Sequence, residues 1–257
     1  MTAAGEPRPR ALITGGARRV GRAIGLALAK AGCDIDLTYR TSADDAQRTV
    51  TAVQDAGADA CASTLDLENL EAVEAFAQQY GPAHSGKRTL DIVVHNASMY
   101  MPSALDEVSA ELVQKLYNVN ALAPLLLTHW VAPALRASPT RGGGAVVAMC
   151  DIHAMGRPRK GFSAYSMSKA ALVELVRSLA RDLAPEVRVN GVAPGVVAFP
   201  EQGYESQPEA QKRYLSRVPL GRSGTPEDAA QVVRFLALDA TYTTGHIIRV
   251  DGGRWLS

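Results

Sequence analysis

Short apolar runs alternate with longer stretches of helical apolar spacing from one end of the chain to the other, and this rhythm restricts the fold most. The short runs at residues 11–13, 35–39, 59–65, 91–95, 145–149, 188–192 and 246–250 predict strands. The stretches at 20–31, 44–56, 70–80, 164–183 and 226–238 predict helices. Two further helical stretches, broken near 118–120, fill the span that ends at 135. Strands joined through helices pair in parallel, and the crossing helices cover both faces of the sheet. A polar, proline-containing insertion at 199–219 interrupts the rhythm, and no repeat, linker or low-complexity tract divides the chain. The expectation is one doubly wound α/β domain over residues 1–257, with ligands held at the carboxyl ends of its strands.

Composition narrows the function classes. The 257 residues are 47% hydrophobic and 21% charged, the balance of a soluble globular chain with a real core. A formal charge of +1 argues against a nucleic-acid footprint. Cys33, Cys61 and Cys150 are scattered and off metal spacing, so they read as buried thiols in a reducing compartment. Residues 1–10 are polar, and no uninterrupted apolar run is long enough to cross a bilayer, so the expected location is cytoplasmic.

Among the turns at the carboxyl ends, the first says most. Thr14-Gly15-Gly16-Ala17-Arg18-Arg19-Val20-Gly21 joins the first strand to the first helix. Helix N–H groups there face a phosphate, and glycine lets the backbone approach it closely. Arg18 and Arg19 add two permanent positive charges suited to an adenosine phosphate. A site for NAD carries an acid about 20 residues further on. Here the second strand ends in Tyr39-Arg40-Thr41-Ser42, a cation and two hydroxyls without a carboxylate. Asp34 and Asp36 come before the strand's end and read as structural. Charge complementarity makes NADPH the expected cofactor.

Tyr165 and Lys169 stand four residues apart at the start of a helical pattern, on one face and about one turn apart. A lysine charge beside a phenol favours phenolate, lowering a pKa normally about 10. The pair would then donate a proton to a carbonyl or imine that receives a hydride. Such a pair is also common on solvated helix faces, so its meaning depends on its company. Asp151, ionised, only accepts hydrogen bonds; it suits ring N–H groups or a proton relay to a ring nitrogen, and it also suits a turn cap. His153 has no partner at ligand spacing and reads as a loop histidine. Arg157-Pro158-Arg159-Lys160 reads as a solvated loop that can attract an anionic substrate tail.

Thr14-Gly15, Asn96-Ala97, Asn120, Tyr165-x-x-x-Lys169 and Pro194-Gly195, in that order, resemble the short-chain dehydrogenase/reductase family, with matching positions as far as Asp251-Gly252-Gly253. The resemblance implies a Rossmann-type, seven-stranded sheet. Three departures are informative: Arg19 where many members have glycine, Ser98 where glycine is commoner, and Asp151 where a serine usually binds the substrate carbonyl. All three are similar to the pteridine reductase branch, as are His95-Asn96-Ala97-Ser98, Leu183-Ala184-Pro185-Glu186-Val187 and Asp251-Gly252-Gly253-Arg254.

That resemblance implies roles. Lys169 would hold the nicotinamide ribose and lower the Tyr165 pKa, and Asn120 would anchor a water linking Lys169 to solvent. Val20, Gly21, Asn96, Ala97 and Ser98 would line the cofactor path, with Asp66-Leu67 flanking adenine and Pro194-Gly195 closing over the carboxamide. Tyr100 would lie against the substrate ring, with Ser98 and Pro194 beside it. Residues 199–219 would form a lid, and helices 122–135 and 164–183 would build a homotetramer. The implied reaction is NADPH-dependent reduction of a dihydropterin, such as dihydrobiopterin, dihydromonapterin or dihydrofolate, with Tyr165 and Asp151 handling protons. One alternative reduces a carbonyl, a 3-oxoacyl thioester or small ketone, and would want serine in place of Asp151. Another binds NADPH without catalysis and has no use for Tyr165, Lys169 and Asn120.

Overall fold

Successive strand residues point to opposite faces of a sheet, so an apolar strand must be covered twice. The computed structural model, which describes residues 8–199 and 203–257, meets that demand with two helical layers. β1 (Arg10–Ile13) leads to α1 (Arg19–Lys30), β2 (Asp34–Tyr39), α2 (Ala43–Asp55), β3 (Ala60–Thr64) and α3 (Leu70–Ala77). β4 (Ile92–His95) precedes α4 (Ala110–Tyr117) and α5 (Ala123–Arg136), and β5 (Gly144–Met149) precedes α6 (Ser163–Asp182). β6 (Val187–Pro194) is followed by α7 (Pro208–Leu215), α8 (Pro226–Arg234) and β7 (Ile247–Val250).

All strand pairs are parallel, in the order β3-β2-β1-β4-β5-β6-β7. The sheet is the expected Rossmann-type one. Ala11 and Ile13 of β1 enter one core with α1, α2 and α8, while Leu12 enters the other with α3, α5 and α6. β4 divides the same way, with Ile92 and Val94 on the first face and Val93 on the second. Strand order reverses between β1 and β4, so the turns after these two strands flank a crevice.

Three local features differ from the sequence reading. The helical path at 118–120 is not broken: Asn118–Leu122 forms a π-helical turn that joins α4 to α5. A second π turn, Phe235–Asp239, ends the last helix. Within the insertion at 199–219, of which residues 200–202 lie outside the described residues, α7 forms a regular helix opened by Pro208. No helix among the described residues is long and apolar enough to cross a membrane.

Candidate active site

The turn after β1 is held by the segment after β4. The Thr14 hydroxyl oxygen accepts from the main-chain N–H groups of Asn96 and Ala97, both at 3.1 Å. The Asn96 amide donates back to the carbonyls of Thr14 at 3.0 Å and Gly15 at 2.9 Å. Asn96 therefore acts as a buttress for the turn. A Cβ at Gly21 would meet the Gly15 carbonyl oxygen at 2.2 Å, so only glycine lets α1 start this close.

The crevice holds a cavity of about 410 Å³. Every expected cofactor contact from Gly15 to Ser98 lines it, including Arg18, Arg19, Tyr39 to Ser42, Asp66 and Leu67. Tyr165, Lys169, Pro194 and Gly195 lie outside it. Met99 and Val119 also line it, contacts that no motif signalled. Two of the cations are engaged otherwise than expected. Arg19 sits at φ 52°, the left-handed region that favours glycine, and donates to the carbonyls of Ala198 (2.8 Å) and Phe199 (3.1 Å). Arg40 pairs with Glu68 at 3.1 Å. The Arg18 side chain is exposed on the cavity wall. The acids of β2 face elsewhere: Asp36 is buried against Arg10, Arg88 and Tyr80, and Asp34 pairs with Arg8 and Arg10.

The end of β5 and the start of α6 bring together Asp151, Tyr165 and Lys169, the residues expected to be catalytic. The Tyr165 hydroxyl donates to Asp151 Oδ2 at 2.8 Å, and the other Asp151 oxygen accepts from the His153 N–H at 2.7 Å. Asp151 thus caps its turn with one oxygen and engages the phenol with the other. Lys169 Nζ donates to the Met149 carbonyl at 2.8 Å.

The electrostatics differ from the sequence expectation. Burial, and then the Asp151 charge, push the Tyr165 phenol well above the usual range. Burial lowers Lys169. The ammonium is directed at a carbonyl, whereas a carboxylate stands at hydrogen-bond distance from the phenol. Tyr165 is therefore held protonated, as a donor. Asn120 stands on the π turn. Its Nδ2 donates to Met99 O and Ser168 Oγ, and its Oδ1 accepts from Ser98 Oγ and Met99 N. Two donors and two acceptor sites are all an amide offers, so the side chain has none free for a water.

Tyr100 lies edge-on to Tyr165 with ring centroids 4.9 Å apart and stacks on Phe162 at 5.0 Å. Arg159 is not a solvated loop cation. Its guanidinium lies 4.3 Å over the Phe162 ring, donates to the Tyr100 hydroxyl and pairs with Glu205. Tyr100 donates in turn to Glu205 at 2.7 Å. Tyr214 of α7 reaches back to the end of β6, its hydroxyl accepting from Val196 N–H at 3.1 Å. Glu205 and Tyr214 belong to no motif and were not legible in the sequence. His153 is a loop residue whose ring nitrogen meets the Arg157 carbonyl at 3.0 Å.

The family described as Enoyl-(Acyl carrier protein) reductase matches residues 15–254. An uncharacterized oxidoreductase of Methylorubrum extorquens is 34% identical over 253 residues, covering 95% of this chain and 96% of that protein. A short chain dehydrogenase from Burkholderia cenocepacia, solved in complex with NADP, is 31% identical with a TM-score of 0.85, covering 96% of this chain and 97% of that one. The FolM alternative dihydrofolate reductase 1 of Brucella canis, also complexed with NADP, is 29% identical with a TM-score of 0.83, covering 97% and 95%. A family match over nearly the whole length, joined to relatives of that identity and coverage, places the chain in the short-chain dehydrogenase/reductase family of oxidoreductases.

Proposed function

We propose that the chain is an NADPH-dependent reductase of pterins that takes a dihydropterin to the tetrahydropterin. The observation that carries this reading is the 2.8 Å hydrogen bond from Tyr165 to Asp151. In the family resemblance a serine stands at that place and donates to a carbonyl oxygen, which a carboxylate cannot do. A ring C=N bond needs a hydride on carbon and a proton on nitrogen, and Asp151 beside a protonated phenol is built to pass a proton. The dihydrofolate reductase of Brucella canis among the solved neighbours supports the same class of substrate.

The residues present fit the cofactor. The glycine turn, Arg18 and the hydroxyls of Thr41 and Ser42 would hold its phosphates, and Asp66 and Leu67 its adenine. Arg40 would leave Glu68 to meet a ribose phosphate. When bound, NADPH supplies the hydride. Tyr165 gives its proton toward the substrate nitrogen and regains one from solvent relayed by Asp151, which also holds the phenol in place, and Tyr100 covers the ring edge. Asn120 positions Ser98 and Met99 rather than touching substrate.

Replacement of Asp151 tests the reading. In Asp151→Ser, kcat/KM for dihydrobiopterin should fall about 100-fold or more, while NADPH affinity stays within about twofold of wild type. Turnover of dihydrobiopterin at the wild-type rate would remove the carboxylate from the mechanism.

A further inference from the structure

A second cavity of about 630 Å³ opens between the loop after β5 and α7, and its wall includes Arg159 and Glu205, the two partners of the Tyr100 hydroxyl. Arg157, Arg159, Lys160, Arg213, Arg217 and Arg254 line it, against one acid, Glu205. The whole chain carries a net charge of only +1, so this is a local concentration of cations. Walls of one charge sign focus the potential inside a cleft and raise the local concentration of counter-ions.

Structural duties account for only part of the cluster. Arg157 donates to the carbonyls of Arg254 and Trp255, both at 2.7 Å, and so clips the C-terminal turn. Arg159 pairs with Glu205. Among the described residues, no Asp or Glu side chain pairs with Lys160, Arg213, Arg217 or Arg254. Arg254 is the sharpest case. It is 6% exposed, its Nη1 donates to the Ser257 carbonyl at 3.0 Å, and its buried Nε has no partner. A buried N–H without an acceptor costs stability that an acceptor from outside would restore.

The cavity adjoins the reacting groups through Tyr100, whose ring meets Tyr165 and whose hydroxyl meets both Arg159 and Glu205. Glu205 thus places a carboxylate of the chain itself against Arg159, the cation over Phe162. An incoming anionic group would compete for the same guanidinium.

We propose that this cavity binds an oligoanionic tail carried by the substrate whose ring is reduced at Tyr165 and Asp151. The glutamyl carboxylates of a conjugated pterin have this chemistry, and so do the phosphates of a coenzyme A thioester. The proposal rests on the pterin reading for the ring, not for the charge of the tail.

The test compares tails on a constant ring. With saturating NADPH, kcat/KM is measured for dihydrobiopterin, dihydrofolate and dihydrofolate extended to a γ-linked triglutamate. Acetoacetyl coenzyme A and acetoacetyl-N-acetylcysteamine form a second pair, and both series are repeated in Arg213→Gln/Arg217→Gln. From dihydrobiopterin to the triglutamate, kcat/KM should rise at least about tenfold, chiefly through KM. In the double variant, or at about 0.5 M salt, the rise should shrink to under about threefold. Equal values across both series, or a rise that survives the double variant, overturn the proposal. A tail effect confined to the thioester pair supports the cavity's role and overturns the pterin reading alone. If no ring turns over, p-aminobenzoyl-triglutamate is titrated calorimetrically onto the NADPH-loaded protein: binding that the double variant loses supports the proposal, and no binding overturns it.

Discussion

Asp151 gives one oxygen to a turn and the other to a phenol, and this division sets what the site can do. Burial and the carboxylate both hold Tyr165 in its protonated form, which suits a donor better than a nucleophile or base. Tyr165→Phe should lower kcat at least about 100-fold with the NADPH dissociation constant within about twofold of wild type, read by nicotinamide fluorescence; unchanged turnover would remove the phenol from the chemistry. A second residue predicts the acid side of the stability curve. His95 is fully buried against Thr128, and burial lowers its pKa to about 3 from the ordinary 6.5. Below pH 6.5 the unfolded chain takes up a proton that the folded chain refuses. His95 therefore opposes folding increasingly as pH falls from 6.5 toward 3, by about 2 kcal/mol between pH 7 and 5. Urea denaturation of wild type and His95→Gln at pH 7 and pH 5 should show a shallower pH dependence in the variant; parallel losses would contradict the assignment.

Helix ends decide several features that periodicity does not show. Arg188, on β6, is buried and donates to the carbonyls of Gly142, Leu236, Ala237 and Ala240, so one cation closes the carbonyl end of the last helix and its π turn. Arg188→Ala should cost at least about 3 kcal/mol, since several buried carbonyls lose their donor together. Chemical denaturation would show this as a lower midpoint, and an unchanged midpoint would mean that water replaces the guanidinium. The regular helices and strands were legible because each carries an apolar stripe or run that its neighbours bury. α7 was not, because it buries none of its residues and so leaves no stripe to read. The π turn at Asn118–Leu122 looked like a break because one inserted residue shifts the apolar phase without ending the helical path.

At the scale of the whole molecule, the fold opens two cavities, one at the turns after β1 and β2 and one between the loop after β5 and α7. The first was largely legible, since its wall is built from turns that directly follow strands, with glycines and cations in a row. The second was not. Arg159 meets Tyr100 across 59 residues, and Tyr100 meets Glu205 across 105, so only the fold brings them together. We propose that the protein assembles as a homotetramer through α5 and α6, where Leu125 and Met167 are exposed on the single chain. Light scattering on the eluting protein should give four times the mass of one chain, and a monomer would contradict it. The central claim is chemical, and NADPH oxidation by the purified protein tests it most directly, with dihydrobiopterin, dihydromonapterin, dihydrofolate and an acetoacetyl thioester measured side by side. At least one dihydropterin should exceed the thioester about 100-fold or more in kcat/KM; turnover of the thioester with none of any dihydropterin would contradict the pterin reading.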